Sequence, residues 1–167
     1  MYKITAVVGV VFVAALALAS PVEDDKNVPD NISVKIVSSD ELKKLLRDNP
    51  NAQPLQRSAT RTLGVRGVTR DLIRYTVGQR IRGDRRVAFK EHTNSWSEPN
   101  DVELELNYPD VGIGAVVSYI QVLVEQSHMK GRAYVLRGGI GQRFVTLILE
   151  AINTNYFNYE AAIYGQD

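Results

Sequence analysis

The sequence predicts an all-β protein, an antiparallel β-sandwich or Greek-key barrel of about seven strands, with one short N-terminal helix outside it. From residue 72 onward, short runs of alternating apolar and polar residues follow one another, as in strands with one buried face. Turn-forming residues separate these runs at near-regular intervals, and no helical run of crossover length lies between them. This pattern favours antiparallel strands over a parallel α/β fold.

The N-terminus is typical of an export signal. Lys3 precedes an uncharged run over residues 4–18, and Ala17-Leu18-Ala19 places small residues where a signal peptidase cleaves. We therefore expect residues 1–19 to be removed. The alternative is an uncleaved anchor helix, because the apolar run is nearly long enough to span a bilayer. After cleavage, the protein is not expected to be an integral membrane protein.

Residues 20–71 are expected to form a flexible N-terminal extension. Within it, residues 33–37 are a candidate short strand, and a helix is predicted near 39–48 because Ser38 and Glu41 have capping-box spacing and leucines follow at helical intervals. Such a short helix is marginal alone, so it either docks on the sandwich or belongs to a removable segment. Residues 50–71 have linker composition.

The β-sandwich domain is expected over residues 72–166. Its clearest strand is 101–108, where apolar residues alternate with Glu103 and Glu105, so one face is expected to be buried and the other acidic and solvated. The remaining strands are predicted at 72–77, 85–91, 115–125, 132–137, 143–151 and 156–164, with turns at 109–114, 126–131, 138–142 and 153–155.

Composition limits the kinds of site that can form. The chain contains no cysteine, so disulfides, thiolate zinc sites and CxxC redox pairs are excluded. His92 and His128 are its two histidines, and neither stands at metal-ligand spacing with another ligand. No pattern brings a nucleophile, a base and an orienting group together. We therefore expect no metal, no cofactor, no catalytic residues and no enzyme activity.

A basic segment spans residues 57–90. It holds ten basic residues against two aspartates, a local net charge of +8, whereas residues 91–129 contain no lysine or arginine. Such a segment can bind an anionic polysaccharide, a lipid or a nucleic acid, or it can lie against the acidic strands of its own domain. Aromatic residues are not interleaved with the arginines, so we expect no direct nucleic-acid binding.

Two further features supply candidate sites. Trp96 lies in a polar segment, 94–99, where it can form a ligand platform or fold over the edge of the core. Asn31-Ile32-Ser33 is an N-x-S triplet, so Asn31 is a candidate glycosylation site in an exported chain. The candidate partner-binding residues are Arg80, Arg82, Asp84, Arg85, Arg86 and Trp96.

Two glycine-containing segments predict turns. Gly138–Gly141 is not followed by Lys-Ser/Thr or by a helix, so it predicts a hairpin or bulge with positive φ and not a phosphate loop. Gly83-Asp84 predicts a turn in which Gly83 gives backbone freedom and Asp84 accepts from nearby N–H groups or arginines.

Three segments have a recognisable order and separation along the chain: Gly78–Val87, Gly138–Gly141 with the strand that follows it, and Ile163–Gly165. Through them the stretch from Tyr75 to Gly165 resembles the insect multiprotein bridging factor 2 family of transcription activators. The resemblance implies a coactivator that joins a DNA-bound nuclear receptor to the basal transcription machinery. Many chains that look like family members nevertheless begin with a signal peptide. The resemblance carries over no catalytic residues.

The export signal and the family name indicate different compartments. The N-terminus favours a secreted, non-enzymatic binding protein whose partner is a protein or a small extracellular ligand, with an anionic polysaccharide as a further candidate. The alternative hypothesis is a nuclear transcription coactivator.

Overall fold

The computed structural model describes residues 30–63 and 69–167. The predicted signal segment, 1–19, lies outside the described residues, as do residues 20–29 of the predicted extension and Arg66 of the basic segment. The elements are β1 (Ser33–Ile36), α1 (Ser39–Asp48), β2 (Gln53–Pro54), β3 (Gln56–Leu63), β4 (Thr69–Gly78), β5 (Arg85–Tyr108), β6 (Val116–Gln126), β7 (Gly131–Gly138) and β8 (Val145–Gln166).

The described strands form an eight-stranded antiparallel sheet that is not closed into a barrel. The two long strands, β5 and β8, pair along most of their lengths and divide the sheet into two parts. The first half-sheet, as we call it, contains residues 85–95 of β5, residues 156–166 of β8, β6, β4 and β3, in that order. The second half-sheet contains β1, residues 102–108 of β5, residues 145–151 of β8, β7 and β2, in that order.

One hydrophobic core holds the two half-sheets together. Ile73, Ile120 and Ile163 from the first half-sheet and Leu106 and Leu147 from the second are all buried and belong to the same cluster. These residues occupy alternate strand positions, so the period-two pattern of the sequence becomes the inner surface of a sandwich. The predicted all-β class is confirmed.

Helix α1 docks on the outer face of the second half-sheet. Ser38 caps it by accepting a hydrogen bond from the backbone N–H of Glu41, and Leu42 packs with Leu136 and Ile148 in a separate buried cluster. Ile148 has no exposed surface although it points away from the main core. Of the two fates predicted for the helix, the structure shows docking.

The predicted turn at 153–155 and the polar segment 94–99 are bends within strands. The segments predicted at 85–91 and 101–108 are one strand, β5, and those at 143–151 and 156–164 are one strand, β8. The pairing of β5 with β8 shifts register between Ser95 and Asn100, and Asn153 has a φ of 57°. Bulges of this kind bend a strand without ending it, so polar residues there resemble turns in sequence.

Two other predictions are corrected by packing. Residues 56–63, predicted as linker, form β3, because every residue from Gln56 to Leu63 pairs with β4. The face carrying Glu103 and Glu105, predicted as solvated, is largely covered, since α1 packs across it and Glu103 is buried. In the part of the chain that the structure describes, no helix is long and apolar enough to cross a bilayer.

Candidate functional site

Three turns and the C-terminal residues meet at one end of the sandwich. We call this region the loop end; it comprises residues 78–84, 109–115, 138–144 and 165–167. The backbone N–H of Gly141 donates to the carbonyl of Val117, and that of Val117 donates to Gln142, each at 2.8 Å. The Gln166 side chain donates to the Arg82 carbonyl at 2.9 Å. The segments Gly78–Val87 and Gly138–Gly141 therefore meet at a single surface, whereas the third segment, Ile163–Gly165, is largely buried and leads into this surface at Gln166.

Asp84 organises the first of these turns. Its side chain is 2% exposed, and its oxygens accept from the backbone N–H of Ile81 at 3.0 Å, from Nε of Arg80 at 2.8 Å and from Oγ of Ser118 at 2.8 Å. Burial opposes ionisation of this carboxyl, but these donors outweigh it and hold the pKa of Asp84 below its usual value. Asp84 therefore locks the 78–84 turn onto β6 as a carboxylate. This agrees with the acceptor role predicted for it.

Glycines allow the turns to pack closely. Gly138, Gly139 and Gly141 all have positive φ, as the hairpin interpretation predicted. A Cβ at Gly138 would lie 2.2 Å from the carbonyl oxygen of Phe144, and one at Gly78 would lie 2.3 Å from that of Ser118. These two positions accept only glycine without movement of the backbone.

The loop end also exposes large apolar side chains. Ile81 and Ile140 are each 43% exposed and line a groove of about 600 Å³ with Gly78, Val116 and Ser118. Three more apolar side chains are exposed on the neighbouring turns: Val111, Ile113 and Phe144. Clustered apolar exposure in a monomer typically marks a binding surface.

Several basic residues of the basic segment pair with carboxylates of the same domain. Arg80 pairs with Asp84 and also lies 3.9 Å from the centre of the Tyr164 ring, and Arg85 pairs with Asp167 at 2.8 Å. Arg86 lies over the Phe89 ring. The remaining described ion pairs of this segment are Arg61 with Asp71, Arg70 with Glu125 and Lys90 with Asp30. Among these described ion pairs, only that of Arg70 with Glu125 reaches the acidic stretch 91–129, so the interpretation in which the basic residues lie against acidic strands is supported in part.

The structure brings five of the six candidate residues together and separates the sixth. Arg80, Arg82, Asp84, Arg85 and Arg86 lie at or beside the loop end. Trp96 lies in β5 near its bend, half-buried against the main core. Trp96 therefore covers the edge of the core, the second of its two predicted placements.

The two histidines lie apart from the loop end. His92 lies in β5, and His128 follows β6, where its Nδ1 contacts Oγ of Ser127 at 3.0 Å. That same hydroxyl contacts Thr154 Oγ1 and accepts from the backbone N–H of Asn155, so it holds the chain between β6 and β8. Within residues 30–63 and 69–167, no three His, Asp or Glu side chains are placed to hold a metal.

The exposed apolar side chains of the loop end were not predicted from the sequence. Ile81, Val111, Ile113, Ile140 and Phe144 lie within turns otherwise made of glycine, charged and polar residues. Large apolar residues inside turn segments were the available signal, because turns normally face solvent. Ser118 could not be found this way, since only the fold places it opposite Asp84.

The fold and the loop end together define a class: a small β-sandwich with no cysteine in its chain, whose three turns form an apolar surface with charged surroundings. The family model described as "Transcription activator MBF2" matches residues 77–165. The chain belongs to this family of transcription activators. Neither a curated protein nor a solved structure matches it.

Proposed function

We propose that this family member is exported and acts as a non-enzymatic binding protein whose partner, a protein or a small extracellular ligand, docks on the loop end. One observation carries the proposal. Two of the segments that carry the family resemblance, Gly78–Val87 and Gly138–Gly141, are about 60 residues apart in sequence and meet at one surface, and that surface exposes Ile81, Ile140 and Phe144. The N-terminal run ending at Ala19 supports the exported location.

The surface favours a partner with apolar groups over an anionic polysaccharide. Arg80 and Arg85 already have carboxylate partners, which a sulfated chain would have to displace. Surface ion pairs are weak, but each still lowers the charge available to an anion. Covering the exposed isoleucine and phenylalanine side chains with a partner instead lowers the free energy of the complex, because apolar surface is removed from water.

A compartment experiment tests the exported location. Full-length chain is expressed in insect cells, and intact mass is measured for material from the medium and from nuclei. We expect medium material that begins near Ser20. We also expect a glycan on part of it, which the Ser33→Ala variant loses because the N-x-S triplet is destroyed. Nuclear accumulation of chain that retains residues 1–19 would contradict export.

The family description supports a second candidate, a transcription coactivator. It is tested by directing residues 20–167 to the nucleus and measuring reporter transcription from a nuclear-receptor promoter. An increase that the paired changes Ile81→Ser and Ile140→Ser abolish would favour coactivation through the loop end. The control is Ile36→Ser, which changes an equally large exposed side chain on β1, away from the loop end.

A further inference from the structure

The outer face of the first half-sheet is open. Helix α1 covers the outer face of the second half-sheet, whereas the described residues place no helix or strand over the first. Leu72 on this face is 41% exposed, and the face contains a depression of about 360 Å³ lined by Leu72, Leu123, Glu91 and Glu160 among others. An open sheet face with exposed leucine is available to a partner.

One row of side chains crosses this face from edge to edge. The strand registers pair Ser58 with Arg74, Arg74 with Leu123, Leu123 with Glu160, and Glu160 with Glu91. Paired residues in an antiparallel sheet point to the same side, so all five side chains lie on the outer face. The row therefore has a cation on one side of Leu123 and two carboxylates on the other.

These charges have no partner of opposite sign within the described chain. Glu91 and Glu160 are direct cross-strand neighbours, an arrangement in which like charges repel. Among residues 30–63 and 69–167, neither glutamate forms an ion pair, and Arg74 forms none either. All three side chains are exposed, so the carboxylates are available to a cation of a partner and Arg74 is available to an anion.

We propose that this face binds a second copy of the chain, in a symmetric dimer whose two-fold axis runs parallel to the strands at Leu123. Such an axis exchanges the two sides of the row. It places Arg74 of each copy opposite Glu160 of the other, Ser58 opposite Glu91, and Leu123 opposite Leu123. A two-fold interface requires this kind of self-complementarity, in which residue i contacts j and j contacts i. Glu125, also on the outer face of β6, lies opposite its own copy, and its charge is compensated by Arg70 of the same chain.

The size of the face suits a stable dimer. Five strands about 4.8 Å apart, each with about ten residues at about 3.3 Å, present roughly 800 Å² per copy, the size of a standard specific interface. The depression beside Glu160 accepts the Arg74 side chain of the second copy, with its methylene stem over Leu123 and its guanidinium beside the carboxylates.

The proposed symmetry has a consequence for the loop end. A two-fold axis parallel to the strands leaves the strand direction unchanged, so both loop ends face the same way. The dimer then presents two copies of the binding surface side by side, and a partner with two attachment points gains avidity without new contacts.

Charge reversal tests the dimer by sedimentation velocity on residues 20–167 at rising concentration. Arg74→Glu and Glu160→Arg are each expected to raise the dimer dissociation constant at least tenfold, because each creates like-charge contacts across the axis. The double variant is expected to return within about threefold of the unchanged chain. Arg47→Glu, on the exposed side of α1, is the matched control and is expected to leave association unchanged.

Each remaining result decides against the proposal. A chain that stays monomeric to millimolar concentration contradicts the dimer. The remaining candidate for this face is then a basic segment of another protein. A dimer that the single reversals do not weaken, or that the double reversal does not restore, shows that another surface associates. All three substituted side chains are exposed, so the variants are expected to keep the far-UV spectrum of the unchanged chain.

Discussion

Replacing Asp84 with alanine is expected to lower the free energy of unfolding by about 2–4 kcal/mol. The change removes the acceptor of the Ser118 hydroxyl and of the Ile81 N–H. Hydrogen bonds to a charged group contribute about 1.5–3 kcal/mol each, and water replaces the lost acceptor only in part because the Asp84 side chain and Ser118 are buried. Urea denaturation of both chains measures the difference. The 78–84 turn should also loosen, seen as faster amide hydrogen exchange at Ile81.

Acid should reduce this difference. The donors hold the pKa of Asp84 below its ordinary value, so its contribution is present above the unfolded pKa of about 3.9 and is lost as pH falls through the lower folded value. Asp110→Ala is the control, because Asp110 is exposed on the neighbouring turn. It should change stability by no more than about 0.5 kcal/mol. Equal losses for Asp84→Ala and Asp110→Ala would show that Asp84 does not organise the turn.

Replacing Gly138 with alanine is expected to destabilise the protein by about 2–4 kcal/mol, the sum of left-handed strain and overpacking. Gly138 has a φ of 68°, and the added Cβ would lie 2.2 Å from the Phe144 carbonyl oxygen. That atom belongs to the backbone, so relieving the contact requires the β7–β8 hairpin to move. Thermal and urea denaturation report the loss.

A substitution at Gly141 distinguishes the conformational strain from the overpacking. It has a φ of 79°, but a Cβ there would meet nothing within 4 Å. Gly141→Ala should therefore cost only the conformational strain, about 1–2 kcal/mol. If Gly138→Ala and Gly141→Ala lose the same stability, close packing of the hairpin contributes nothing, and the glycine matters only for its φ.

Several elements were predictable because their causes are local. The helix at 39–48 follows from a capping serine and a leucine stripe, and both are present in the structure. The Gly138–Gly141 hairpin follows from residues that tolerate positive φ. The acceptor role of Asp84 follows from the neighbouring glycine and arginines.

Other features were not predictable because distant residues decide them. Residues 56–63 have little periodicity because β3 is an edge strand whose residues 56–61 are exposed on both faces, and only its pairing with β4 makes it a strand. Glu103 is buried because α1, which precedes it by more than 50 residues, packs over its sheet face. Local sequence carries no information about such a cover.

The all-β class, the short helix, the turn chemistry and the family follow from the sequence alone, since each depends on residues near one another or on their order along the chain. The fold was needed to show that β5 and β8 pass through both half-sheets and that Gly78–Val87 and Gly138–Gly141 meet at the loop end. The fold also pairs Arg70 with Glu125 and Arg85 with Asp167, which are distant from them in sequence. The physical reason is that antiparallel pairing joins residues far apart in sequence, and register and bending are set by the packing of the whole core.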